Sequence, residues 1–187
     1  MPDTVFESAR LVLRRFRDAD LAAWQAHMNT PEVRAHFGGV TSAQASAERF
    51  ARQKASWSDE EGGWLAIERR EDGAFLGNCG NGRITAEQAP PALQGAPEIG
   101  WSLRADCWGH GYATEAATIL LAAMFERFGQ PRVYSQTSEA NRPSWRVMER
   151  LGMTREPELA YHDPLYPAEE NPTIVYAIAR EEWGRGR

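Results

Sequence analysis

The spacing of hydrophobic positions changes repeatedly along the chain, and each change marks an element. Arg10-Leu11-Val12-Leu13-Arg14-Arg15-Phe16 alternates around an aliphatic centre and predicts a first strand. Asp18 and Asp20 open a helix through Leu21, Ala22, Ala23, Trp24 and Met28, since carboxylates are favoured in a first turn. Asn29-Thr30-Pro31 interrupts it, a short helical piece covers Pro31 to His36, and Gly38-Gly39 breaks the chain again. Thr41 or Ser42 then caps a long helix running to about Trp57. Trp64 to Ile67 predicts a second strand, Glu71-Asp72-Gly73 a hairpin turn, and Phe75 to Gly80 a third strand. Gly77, Gly80 and Gly82 predict that this strand is bulged or closely packed. Ala86 to Pro97, rich in Pro, Gln, Ala and Gly, reads as a loop within one domain.

The stretch from Glu98 to Phe128 organises the rest. Ile99 to Leu103 is a short apolar run of buried-strand type, followed by the tight loop Cys107-Trp108-Gly109-His110-Gly111-Tyr112. Ala113, Ala116, Ala117, Leu120, Leu121, Met124, Phe125 and Phe128 then fall on one face of an amphipathic helix. Arg132 to Thr137 predicts a fifth strand, parallel to Ile99–Leu103 and joined to it by a right-handed crossover. Asn141 precedes a short helix that ends at Gly152, with Pro143 tolerated in its first turn. Met153 to Ile178 reads as two strands around a Pro-rich excursion from Asp163 to Pro172, the last strand being Thr173–Ile178.

Strand, glycine loop and helix together make an anion-binding geometry, because the first helical N–H groups point outward along a favourable dipole. Gly109 and Gly111 let a ligand approach the backbone closely. No Gly-Lys-Ser/Thr follows and no third glycine has the dinucleotide spacing, so two familiar phosphate loops are set aside. Ligands on such a sheet sit beyond the carboxyl ends of the parallel strands. Glu98 heads the central strand there and reads either as a proton acceptor or as a solvated strand-end charge; Glu139, past the fifth strand, is the second candidate. Ser144 shares its helix face with Val147, Met148 and Leu151, which directs its hydroxyl inward from the first turn; the plain alternative is a helix cap. His162 and Asp163 lie in the excursion and read either as lining of an acceptor pocket or, as is commoner for a lone His-Asp pair in a loop, as ordinary surface.

The segment Trp108-Gly109-His110-Gly111-Tyr112-Ala113-Thr114-Glu115-Ala116 resembles the coenzyme A pyrophosphate loop of the GNAT acyltransferases, most closely the branch with the ribosomal-protein N-terminal acetyltransferases (the Rim type). Asn141-Arg142-Pro143-Ser144, followed by Met148-Glu149-Arg150-Leu151-Gly152-Met153, resembles the Asn-x-x-Ser helix of the same family. The likeness runs from Arg10-Leu11-Val12-Leu13-Arg14 to Val175-Tyr176. One departure stands three residues before the first loop glycine, where Asp106 replaces the frequent Gln or Arg. The resemblance implies an α/β fold, a mixed sheet of about seven strands flanked by helices, with a parallel pair splayed around acetyl-CoA in one domain over residues 1–187. It further implies that Trp108, Gly109, His110, Gly111, Tyr112, Ala113 and Thr114 hold the pyrophosphate through backbone amides. Trp101, Ser102 and Leu103 would offer free amides from a bulged strand to the pantetheine arm and the thioester oxygen, Asn141 would contact that arm, and Ser144 would protonate the departing thiolate.

Composition narrows the partners more than the fold. With 42% hydrophobic and 25% charged residues the chain of 187 residues suits one buried core. A formal charge of −5, with Lys54 the lone lysine among scattered arginines, argues against nucleic acid and is compatible with a cationic amine. Cys79 and Cys107 fit neither a disulfide framework nor a zinc site, and no metal is expected. No leader pattern or membrane-length apolar run is present, which leads to the expectation of a cytoplasmic protein. The reading is an acetyl-CoA-dependent N-acetyltransferase with direct transfer to a primary amine. A peptide N-terminus, an aminoglycoside, a polyamine and an amino acid all stay open as acceptor, and so does a homodimer. The alternatives are a non-catalytic CoA-binding regulator or scaffold, and a domain binding the phosphates of another nucleotide.

Overall fold

The computed structural model describes residues 3–185. The strands are β1 (Thr4–Glu7), β2 (Leu11–Arg14), β3 (Trp64–Arg69), β4 (Phe75–Arg83), β5 (Pro97–Leu103), β6 (Arg132–Ser138), β7 (Thr154–Arg155) and β8 (Thr173–Ala179). The helices are α1 (Asp20–Met28), α2 (Pro31–Arg34), α3 (Ala43–Ala55), α4 (Tyr112–Glu126), α5 (Arg142–Arg150) and α6 (Arg180–Arg185). All eight strands join one sheet in the order β1-β2-β3-β4-β5-β6-β8-β7. This is the expected mixed α/β architecture with one strand more than the sequence predicts. β1 is four residues long, too short for alternation to stand out, and pairs antiparallel with β2.

The two faces of the sheet follow from the two-residue period of its strands. Leu65 and Ile67 of β3 enter one cluster with Leu120, Leu121, Met124 and Phe125 of α4 and Val147 and Met148 of α5. Ala66, between them, joins Phe16, Trp24, Met28, Phe50 and Phe75 on the side of α1 and α3. Of the eight apolar positions predicted for the long helix, six are buried and Ala113 and Phe128 pack half-buried against the same cluster. Asp20 does more than open α1. Its side chain is buried and accepts from both terminal guanidinium nitrogens of Arg14, Nη1 and Nη2, at 2.8 Å, which ties the helix start to β2.

The glycines of β4 divide by position. Gly77, at φ 147°, lies where an added Cβ would stand 2.2 Å from the Ser102 carbonyl oxygen, and the β3–β4 ladder shifts register beside it. A Cβ added at Gly80 would stand 2.6 Å from Trp64 Cα, whereas Gly82 has open space. The segment read as loop from Ala86 to Pro97 is more ordered than its composition suggests. It makes a short 3-10 turn at Pro91–Leu93, and Ala89 and Leu93 bury with Ile84, Tyr161 and Val175; its last residue begins β5.

β5 and β6 are parallel and meet at a single register pair, Glu98↔Tyr134. The expected bulge is not the cause, because the β4–β5 ladder stays in register from Gly77↔Leu103 to Arg83↔Pro97. On the other side β6 pairs with β8 without interruption from Arg132↔Ala179 to Ser138↔Thr173. Each strand keeps a continuous antiparallel ladder with its other neighbour, so β5 and β6 are unpaired beyond Glu98, which leaves a gap in the ladder.

Candidate active site

β5 ends at Leu103, a 3-10 turn over Ala105–Cys107 reverses the chain, and Gly109 and Gly111 lead into α4 at φ of 78° and 79°. Gly111 is the N-cap, so no side chain caps the helix. Among the described residues, the backbone N–H groups from Gly109 to Thr114 have no protein acceptor. That row of donors is what an anionic group at a helix start requires. The side chains around it brace the loop. Trp108, half-exposed, donates its indole N–H to the Leu103 carbonyl at 2.9 Å, and His110 stacks on Tyr112 with ring centroids 5.8 Å apart. Asp106 forms two hydrogen bonds with Arg104, at 3.0 and 2.6 Å, which hold its carboxyl below the ordinary range and neutralise the charge beside the loop.

At the mouth of the gap, Glu98 is half-buried and accepts a hydrogen bond from Gln136 Nε2 at 3.0 Å. Burial pushes its carboxyl above the usual range, and the Gln136 hydrogen bond acts in the opposite direction. Beyond it, Trp101 and Ser102 are half-buried and the Leu103 side chain is buried; none of the three pairs with β6. Asn141 sits at the end of β6, with Nδ2 donating to Thr137 Oγ1 at 2.9 Å. Ser144 lies in the first turn of α5, half-buried, and its hydroxyl has no partner among the described residues. Val147, Met148 and Leu151 of the same face are buried, as their spacing predicts. Glu139, the second candidate base, is turned to the surface and paired with Arg155 at 2.5 Å.

The model for the acetyltransferase (GNAT) domain matches residues 10–154. The chain belongs to the GNAT acetyltransferases. It is 31% identical over 151 residues to the uncharacterized protein YkkB of Bacillus subtilis, covering 77% of this chain and 81% of that one. It is 29% identical over 126 residues to the FsC-acetyl coenzyme A-N(2)-transacetylase of Aspergillus fumigatus, covering 66% of this chain and 52% of the relative. An acetyltransferase structure from Agrobacterium tumefaciens superimposes with a TM-score of 0.74 at 30% identity over 94% of each chain. The protein is thus an acetyltransferase enzyme, and its family uses acetyl-CoA as cosubstrate.

Several residues around this candidate site escape sequence reasoning. Gln136 reaches Glu98, and the Tyr161 hydroxyl donates to Gln136 Oε1 at 2.9 Å. The readable signal was the alternation in β6, which places Tyr134, Gln136 and Ser138 together on the face opposite the buried Val133. A second cluster joins Ser138, Glu170 and His36, with His36 Nδ1 at 2.9 Å from both Glu170 oxygens, and links β6 to the segment after α2. Asp163 is buried rather than surface, its Oδ1 accepting from the Leu165 N–H at 3.0 Å, while His162 is exposed. Among the described residues no helix is long and apolar enough to cross a membrane.

Proposed function

We propose that the protein transfers an acetyl group from acetyl-CoA directly to a primary amine, a small molecule or a peptide N-terminus, in the cytoplasm. The observation that carries this reading is the row of unpartnered N–H groups from Gly109 to Thr114 at the end of a parallel pair that parts beyond Glu98. A pyrophosphate fits that row: its charge meets the helix dipole, Asp106 is already paired, and the open φ positions carry no Cβ to obstruct it. Gly109 to Thr114 form this cradle; Trp108, whose own N–H is taken by the Ala105 carbonyl at 3.3 Å, flanks it and braces the loop through its indole. The unpaired edge of β5 at Trp101, Ser102 and Leu103, together with Asn141, receives the pantetheine arm. Bound acetyl-CoA supplies the activated acyl group.

The remaining chemistry belongs to the protein. An amine attacks only as the free base, so Glu98 accepts its proton directly or through water. Its burial strengthens it as a base, because a carboxylate pushed above its usual range holds a proton more tightly. Ser144 is placed to donate a proton to the leaving sulfur. The A. fumigatus relative is named for transfer from acetyl coenzyme A to a nitrogen, which agrees with an amine acceptor.

The assignment of the base is tested by the pH dependence of turnover in Glu98→Gln and Glu139→Gln. Glu98→Gln loses most activity at low pH, where the amine is protonated, and Glu139→Gln follows the wild type. Parallel profiles for Glu98→Gln and the wild type would remove Glu98 from the mechanism.

A further inference from the structure

Glu98 is held by a chain of two side chains from separate segments. Gln136, on β6, gives one amide N–H to Glu98 Oε2 at 3.0 Å. Tyr161, in the segment after β7, gives its hydroxyl proton to Gln136 Oε1 at 2.9 Å. Tyr161 is itself fixed to the start of β8 by two backbone bonds with Thr173, at 3.1 and 2.8 Å. Its ring packs with Val175, the β8 residue opposite Gln136, and with Ile84 and Leu93. The chain therefore runs from a fixed backbone point through two oriented side chains to one carboxylate oxygen.

The order of donors matters chemically. A glutamine amide has an accepting end and a donating end, and either can face a neighbour. Because Tyr161 donates to the oxygen, the NH₂ end must face Glu98, and an N–H donor favours the ionised carboxylate. Tyr161 keeps its proton throughout the neutral range: burial first, then the charges of Asp163 and Glu98, push its hydroxyl up to about 12. Oε2 of Glu98 is thereby occupied, while Oε1 has no protein partner among the described residues. The other neighbours of Glu98 supply no counter-charge. β4 places Gly82 opposite it and β6 places Tyr134 beside it, while the charge that acts on Tyr161 from its own segment is the acid Asp163. No charged side chain shifts the Glu98 carboxyl.

We propose that Gln136 and Tyr161 are positioning residues that hold Glu98 as an ionised acceptor with one free oxygen turned to the amine. The proposal rests on the reading of Glu98 as the base. Glu98 then needs no cation beside it, which leaves the space around Oε1 free of a positive group that would repel a cationic acceptor.

The test combines two readouts on Gln136→Met and Tyr161→Phe. The first is the carboxyl titration of Glu98 by ¹³C NMR, its signal assigned by its loss in Glu98→Gln. The second is the variant-to-wild-type ratio of kcat/KM across pH with one amine, in which the titration of the amine itself cancels. Removing the Gln136 donor raises the Glu98 titration by about one pH unit and lowers the rate ratio about tenfold on the acid side, with recovery at high pH. Tyr161→Phe, which keeps the ring in its cluster, moves both in the same direction by less. In the Gln136→Met background Tyr161→Phe adds nothing, since it acts only through Gln136. An unmoved Glu98 titration in Gln136→Met, or additive effects in the double variant, overturns the chain and leaves Glu98 as base standing. Wild-type turnover in Glu98→Gln overturns the base itself, whatever the titrations show.

Discussion

Arg10, just before β2, grips Glu115 of α4 across 105 residues of chain. Its guanidinium meets the carboxylate at 2.6 and 2.7 Å, its backbone N–H adds a bond at 3.1 Å, and Nη1 reaches the His110 carbonyl at 3.0 Å. Partial burial pushes the Glu115 carboxyl up, but hydrogen bonds from Ser8 and Arg10 outweigh this and hold it below the usual range. The glycine loop is thus tied to the residue that leads into β2. Arg10→Met is expected to weaken CoA binding about tenfold, read by titration calorimetry, by loosening a preorganised anion cradle. As Arg10 is half-exposed, its ion pair adds only about 0–1 kcal/mol to stability, so the melting temperature changes little. Wild-type CoA affinity in the variant would show that the loop holds its shape unaided.

Gly111→Val tests the cradle itself. The residue sits at φ 79°, where a branched side chain is strained by about 1–3 kcal/mol, so the variant melts somewhat lower. Ligand that binds only the folded state raises the melting temperature. CoA therefore stabilises the wild type and leaves Gly111→Val unmoved; equal stabilisation of a folded variant would remove the loop from the CoA site.

Ser144→Ala separates chemistry from capping. The Ser144 hydroxyl bonds to no backbone group, and its N–H is already accepted by the Asn141 carbonyl at 3.0 Å. Stability is expected to be unchanged, whereas a lost cap would cost about 1 kcal/mol. CoA affinity stays, and turnover falls on the order of ten- to a thousandfold. Steady-state kinetics beside a thermal melt read both, and normal turnover would leave Ser144 without a role in transfer.

The raised Glu98 carboxyl also has a consequence for stability. The folded state holds this proton to a higher pH than the unfolded chain does, so stability is lost as pH rises through the window between the two. Glu98→Gln removes that loss. Above the window the variant melts higher than the wild type. Below the ordinary carboxylate range the difference vanishes. A variant that is less stable at neutral pH would mean that Glu98 carries a net favourable interaction in its ionised form.

The strand, loop and helix from Ile99 to Phe128 were legible because three local signals coincide: a short apolar run, two glycines, and steps of three and four. α1 and α3 were readable from their punctuation; Ser42 does cap α3, accepting from the Ala45 N–H at 3.1 Å. β1 was not, since its burial comes from partners such as Trp57, whose ring lies 6.0 Å from Phe6. Glu98 was visible as a carboxylate heading a strand. Its partners Gln136 and Tyr161 were not, because they meet it only once the sheet places β6 between β5 and β8. Arg10 and Glu115 likewise meet only through the order of the sheet. Local periodicity finds elements; contacts between distant segments depend on topology.

The central claim is catalytic acetyl transfer to an amine, and release of free CoA thiol tests it most directly. Purified protein is mixed with acetyl-CoA and a panel of peptide N-termini, polyamines, amino acids and aminoglycosides, and thiol release is followed beside mass spectrometry of the amines. The account predicts that at least one amine gains an acetyl group in step with thiol release, and that Glu98→Gln slows both while still binding CoA. CoA binding with no thiol release above the background hydrolysis rate across the whole panel would contradict it and favour a CoA-binding regulator.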